Sequence, residues 1–179
     1  MQVNVGWPNE SQVWRKNMSY DNLDLSLVSK KMGNVSENIE DRPYSILIVE
    51  DDLGLSTVLN RIIRKVHPNF KIEWVTTVTE ALRELKRPQA DGGKSYDLIL
   101  SDILLSDLEL GTDLWRYCRI HCPNTPFVMM SGVDPETYFR MIGPEGSLPY
   151  FLPKPFSVED CKTTIELLLL GQSSSFSCS

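Results

Sequence analysis

Four apolar runs in this sequence end on residues able to do polar chemistry. Ile46-Leu47-Ile48-Val49 runs into Glu50-Asp51-Asp52, and Leu98-Ile99-Leu100 into Ser101-Asp102. Phe127-Val128-Met129-Met130 is followed by Ser131, and Tyr150-Phe151-Leu152 by Pro153-Lys154. Carboxylates gathered in one place repel one another unless a cation or a raised pKa relieves them. Mg2+ (or Mn2+) does this with hard oxygen ligands, and keeps positions for water or a phosphate oxygen. A lysine supplies a point charge to one phosphate oxygen, and a serine hydroxyl a hydrogen bond to another. An acid after one strand is an ordinary loop residue. If all four run ends meet, the set suits transfer of a phosphoryl group onto the Asp102 carboxylate, giving an acyl phosphate.

The elements between the runs bring those ends together. Leu55, Val58, Leu59, Ile62, Ile63 and Val66 recur at helical spacing and form one apolar stripe. Lys71 to Val75 reads as a second strand. Thr77 and Glu80 have capping-box spacing and open a helix through Leu85 that stops before Pro88. Gln89 to Ser95, with Gly92-Gly93, reads as a loop. Further helices are predicted from about Thr112 to His121, near Pro135 to Met141, and over Val158, Cys161, Ile165, Leu168 and Leu169. Apolar runs without alternation suit strands buried on both faces. Strands alternating with helices imply a parallel sheet with helices on both sides. Polar chemistry in such sheets gathers beyond the carboxyl ends of the strands, where all these acids, Ser131 and Lys154 lie.

Composition narrows the rest. The chain has 179 residues, 41% hydrophobic and 23% charged, which is near the globular average. Its net charge of -6 argues against nucleic acid as a partner. No stretch reaches membrane-span length, and Met1 to Glu10 lacks the apolar core of a secretory signal, so a cytoplasmic protein is expected. Cys118, Cys122, Cys161 and Cys178 are read as reduced thiols rather than a metal set. Residues 1–42 form an Asn- and Ser-rich extension read as flexible or partner-binding, and residues 171–179 a Ser-rich tail read as disordered. Trp7, Trp14, Tyr20 and the alternating Leu23, Leu25 and Leu27 leave a partner-pairing strand as the other reading of the extension.

The segments Ile46 to Asp52, Leu98 to Leu105, Val128 to Gly132 and Leu152 to Phe156 resemble the signature segments of response-regulator receiver domains, over residues 43–170. The resemblance implies a flavodoxin-like three-layer (βα)5 sandwich with a five-stranded parallel sheet in the order 2-1-3-4-5. It makes Asp102 the phosphoacceptor, and Asp51 a direct and Glu50 a water-mediated metal ligand. The Leu104 backbone carbonyl would be a further ligand. Ser131 then matches the switch hydroxyl, Phe151 the aromatic switch, and Lys154 the phosphate-binding lysine. It also implies a cis Lys154-Pro155 bond, against a base rate of about 5–6% for such bonds. The implied donor is a histidine kinase or histidine phosphotransfer protein. Output would pass to a downstream protein, or a second copy, at the face of the fourth helix, fifth strand and fifth helix. Leu167 and Leu170, off the stripe of the last helix, fit such a surface or one covered by the extension. No output domain is recognised, so a stand-alone receiver is expected, with no activity beyond its own phosphorylation and dephosphorylation.

The sequence departs from the family pattern in several places. Asp52 is a third acid, read as a solvated loop residue. The segment from Leu105 to Gly111 lacks the usual proline and is one residue longer. Pro153 stiffens the loop before Lys154, and Gly143, Pro144, Gly146 and Pro149 crowd the segment before the fifth strand. In the family the residues two beyond the phosphoacceptor and the switch hydroxyl line the path of attacking water; here they are Leu104 and Val133, which cannot orient a water, so the resemblance implies slow self-dephosphorylation. Two other classes compete. A phosphatase with an aspartate nucleophile wants a second aspartate where Leu104 stands. A receiver-like interaction module would work without phosphorylation at all.

Overall fold

The computed structural model describes residues 44–87, 96–106, 109–143 and 148–170, all within the unit Pro43–Ser179. The readings of the amino-terminal extension, the Gly92-Gly93 loop, the tail and the Leu170 side chain lie outside them. Strands β1 (Ser45–Val49), β2 (Lys71–Val75), β3 (Leu98–Asp102), β4 (Phe127–Ser131) and β5 (Tyr150–Pro153) alternate with five helices. These are α1 (Leu53–Val66), α2 (Val78–Lys86), α3 (Gly111–His121), α4 (Pro135–Ile142) and α5 (Val158–Leu170). Every strand pair is parallel, in the order β2-β1-β3-β4-β5. This is the flavodoxin-like receiver fold expected from the sequence.

Each strand residue faces one side of the sheet or the other. Ile46, Ile48, Leu98, Leu100, Val128 and Met130 pack with Leu59, Ile62 and Ile63 of α1 and Cys161, Ile165 and Leu168 of α5. Leu47, Val49, Ile99 and Met129, the alternate residues, are also buried. Burial on both faces explains why these strands carry uninterrupted apolar runs. Two stripe residues fall off the core: Val58 is 44% exposed at the edge of the apolar face of α1, and Val158 is 48% exposed as the first residue of α5. Cys118 and Cys161 are buried free thiols, and burial pushes each up to about 12.

Helix starts follow short-range hydrogen bonding. Asp52, expected as a solvated loop residue, caps α1: its carboxylate accepts the Gly54 N–H at 2.8 Å. The Thr77 hydroxyl caps α2 by accepting the Glu80 N–H at 3.1 Å. The return arm of this cap differs from a simple capping box: Glu80 accepts from the Thr76 N–H, one residue before the cap, at 3.0 Å. Asp134 caps α4 through the Thr137 N–H at 3.0 Å, with Pro135 in the first turn, where a missing N–H costs nothing.

Candidate functional site

The order of the sheet reverses between β1 and β3, whose crossovers leave on opposite faces and open a crevice at their carboxyl ends. Glu50 and Asp51 follow β1 directly. Asp102 and Ser131 are the last residues of β3 and β4 rather than the first of a loop, so the ladder fixes their backbones. Asp102 pairs with Met130, and Ser131 with Pro153. Lys154 follows β5, and its N–H donates to the Ser131 carbonyl at 2.7 Å.

One oxygen each from Glu50, Asp51 and Asp102 lies within 4.8 Å of the others. The Lys154 ammonium reaches across the sheet edge and donates to Glu50 Oε2 and Asp102 Oδ2, both at 2.6 Å. Glu50 is 1% and Asp102 8% exposed, so these charges sit largely out of water. Burial pushes the Glu50 carboxyl up from its ordinary value, and the bond to Lys154 offsets only part of that. For Lys154, burial acts downward, but the bonds to Asp102 and Glu50 outweigh it and leave the ammonium raised. The cluster therefore keeps Lys154 charged and is short of positive charge.

The remaining contacts leave acceptors open toward the crevice. Asp102 Oδ1 accepts one bond, from the Leu104 N–H at 3.2 Å. The Asp51 carboxylate and the Leu104 carbonyl accept none from the described residues. The Ser131 hydroxyl accepts the Val133 N–H at 3.2 Å and donates its own proton to no described group. Leu104 is 51% exposed beside the crevice, while Val133 is half-buried. The Lys154-Pro155 peptide bond is cis. Phe151 lies half-buried on β5, its ring 4.4 Å from that of Tyr138 on α4.

Two neighbours of the site escaped the sequence reading. Gly111, the first residue of α3, lies so close to Asp102 that a Cβ there would fall 1.9 Å from the Asp102 carbonyl oxygen. A groove of about 400 Å3 adjoins Lys154, lined by Asp52, Leu55, Val58, Pro155 and Phe156. The exposure of Val58, at odds with a core role, gives that groove part of its apolar wall.

Comparison with known proteins agrees with this geometry. The family model for the response regulator receiver domain matches residues 46–166. The chain belongs to this family. Among curated proteins, this receiver is 30% identical over 128 residues to the sensor kinase CckA of Brucella abortus, covering 72% of the chain and 13% of the kinase. The chain spans less than a third of the length of the curated relatives it matches. Among solved structures it is similar to the non-phosphorylated HemR receiver domain of Leptospira biflexa, at 29% identity and a TM-score of 0.52, covering 72% of this chain and 94% of that one. The signal receiver domain of a histidine kinase from Syntrophus aciditrophicus gives a TM-score of 0.60 at 24% identity, covering 76% and 97%. No helix among the receiver's described residues is long and apolar enough to cross a membrane.

Proposed function

We propose that Asp102 accepts a phosphoryl group from a histidine kinase or histidine phosphotransfer protein, in the cytoplasm, and that the chain signals through a changed protein-binding surface. The observation that carries this reading is the meeting of three carboxylates within 4.8 Å, two of them, Glu50 and Asp102, held by the Lys154 ammonium at 2.6 Å. A carboxylate oxygen of Asp102 attacks phosphorus, the bond from phosphorus to the donor's nitrogen or oxygen breaks, and the electron pair leaves with the donor. Lys154, already beside Oδ2, holds a phosphoryl oxygen as charge builds there. Ser131 turns its free proton to another.

The residues fit a divalent cation. Asp51, Asp102 and the Leu104 carbonyl would hold it with hard oxygens that meet no competing hydrogen-bond donors beyond those named, and Glu50 would add its charge close by. Mg2+ (or Mn2+) held there supplies the positive charge that the carboxylate cluster lacks and orients the phosphoryl oxygens. The groove beside Lys154 offers a protein donor an apolar foothold next to the acceptor. For output, Ser131 moves toward the phosphoryl group, Phe151 follows, and its contact with Tyr138 carries the change to α4. The α4-β5-α5 face then binds a downstream protein or a second copy.

Acetyl phosphate with Mg2+ should add the mass of one phosphoryl group to the native chain and nothing to Asp102→Asn. An unchanged native mass would sink the phosphoacceptor reading in favour of an interaction module, and a gain that survives the substitution would move the acceptor to another residue. The acyl phosphate, once formed, should persist for hours rather than seconds, because Leu104 and Val133 give an attacking water no hydrogen-bond partner. Leu104→Asn should shorten that lifetime about tenfold, a modest share of what a positioned polar group supplies. Decay of labelled protein at neutral pH checks both, and loss of label within seconds from the native chain would contradict them.

A further inference from the structure

An α-helix leaves its last four carbonyls without partners in the helix, and in α4 these belong to Phe139 through Ile142. The Gly143 N–H takes that of Phe139 at 2.9 Å. The carbonyls of Met141 and Ile142 are taken by Arg116, which reaches over from α3 and donates Nη2 to them at 3.0 and 3.4 Å. A cation is favoured at this end of a helix, and a planar guanidinium can hold two directions at once. Its Nη1 donates to Asp113 Oδ1 at 2.9 Å. The other oxygen of Asp113 accepts the Leu110 N–H at 3.4 Å, where the chain enters α3.

That entry point is bound to the phosphoacceptor. Leu110 bridges to Leu104, and the Gly111 N–H donates to the Ile103 carbonyl at 3.0 Å. Leu104 in turn donates to Asp102 Oδ1. A contiguous run of polar contacts therefore leads from the Asp102 carboxylate, through the first turn of α3, to the last turn of α4. The Arg116–Asp113 ion pair alone is weak, because its side chains are 38% and 56% exposed. The reach to carbonyls 25 and 26 residues away is what separates Arg116 from an ordinary solvated helix arginine.

We propose that Arg116 is a positioning residue that ties the end of α4 to the phosphoacceptor loop, giving Asp102 a second route to α4 beside that through Ser131 and Phe151. The tie rests on the phosphoacceptor reading for its purpose, but not for its existence. In the full chain without phosphodonor, Arg116→Met should speed hydrogen exchange at the Ile142 and Gly143 amides roughly two- to five-fold, as expected for losing a cation at a helix end. Asp113→Asn should speed the same amides in the native background and add nothing once Arg116 is gone. Additive effects would mean that Asp113 does not act through Arg116, and would overturn the tie. After acetyl phosphate treatment, the change in exchange at these amides should shrink by at least half in Arg116→Met, at equal phosphoryl incorporation. An undiminished change would equally overturn it, since a purely structural arginine shifts both states alike. A native chain that takes up no phosphoryl group would count against Asp102 as acceptor, while the exchange measurements still decide the tie.

Discussion

Lys154→Met should still accept a phosphoryl group from acetyl phosphate, but about a hundredfold or more slowly than the native chain, where Asp102→Asn accepts none. Removing one preorganised charge or donor from the place where negative charge develops typically costs about 10²–10³ in rate. The same change should have the opposite sign on metal binding. Lys154 is the cation bonded to both Glu50 and Asp102, so its loss leaves the carboxylates with more unbalanced negative charge. One charge pair at about 5 Å is worth about 3 kcal/mol at an effective dielectric of about 20. Proton uptake by Glu50, whose carboxyl is already raised by burial, absorbs part of this. Titration calorimetry should therefore show Mg2+ binding roughly tenfold more tightly to Lys154→Met. A misfolded variant would lose both properties. An unchanged transfer rate, or weaker metal binding, would mean that Lys154 has been given the wrong part.

The divergence of those two effects depends on geometry that the sequence carried only in part. Doubly buried parallel strands must be apolar without interruption, so their ends could be read from Val49, Leu100, Met130 and Leu152, and the polar residues after them assigned to one edge. Loop chemistry was less visible. Asp52 stands directly before α1, an N-cap position, but the apolar stripe shows itself only from Leu55, and a third acid after a strand reads as a loop residue. Arg116 reads as one more exposed helix residue, because its partners are backbone carbonyls on another element, and carbonyls leave no trace in sequence. Val58 satisfied the helical period yet lies at the margin of the buried stripe, since period alone does not fix how wide the buried face is. Gly111 was the least legible. Its contact depends on Leu110 pairing with Leu104 and on the Gly111 N–H reaching the Ile103 carbonyl, which no local sequence pattern announces.

Gly111→Ala should destabilise the chain by about 3 kcal/mol, lowering the thermal midpoint by about 10 °C. Two effects compete at this position. Alanine is the better helix former by about 1 kcal/mol, and Gly111 is in the first turn of α3, so propensity favours the substitution. Against it, the new Cβ would lie 1.9 Å from the Asp102 carbonyl oxygen, 2.8 Å from Ser101 Oγ and 2.9 Å from the Asp102 carbonyl carbon. A serine side chain can rotate away, but two of these atoms are backbone in a strand paired on both sides by β1 and β4. Either the end of β3 or the first turn of α3 must shift by about an ångström, and strain on that scale outweighs the gain in propensity. Because the displaced atoms belong to Asp102, phosphoryl acceptance should slow as well. Gly132 provides the contrast: it also adjoins the site, after Ser131, yet a Cβ there meets only the Lys154 carbonyl at 4.0 Å. Gly132→Ala should leave the thermal midpoint within about 2 °C of the native value, as surface substitutions usually do. Circular dichroism melts of both variants test the argument, and a Gly111→Ala chain as stable as Gly132→Ala would show that α3 does not rest on the Asp102 backbone.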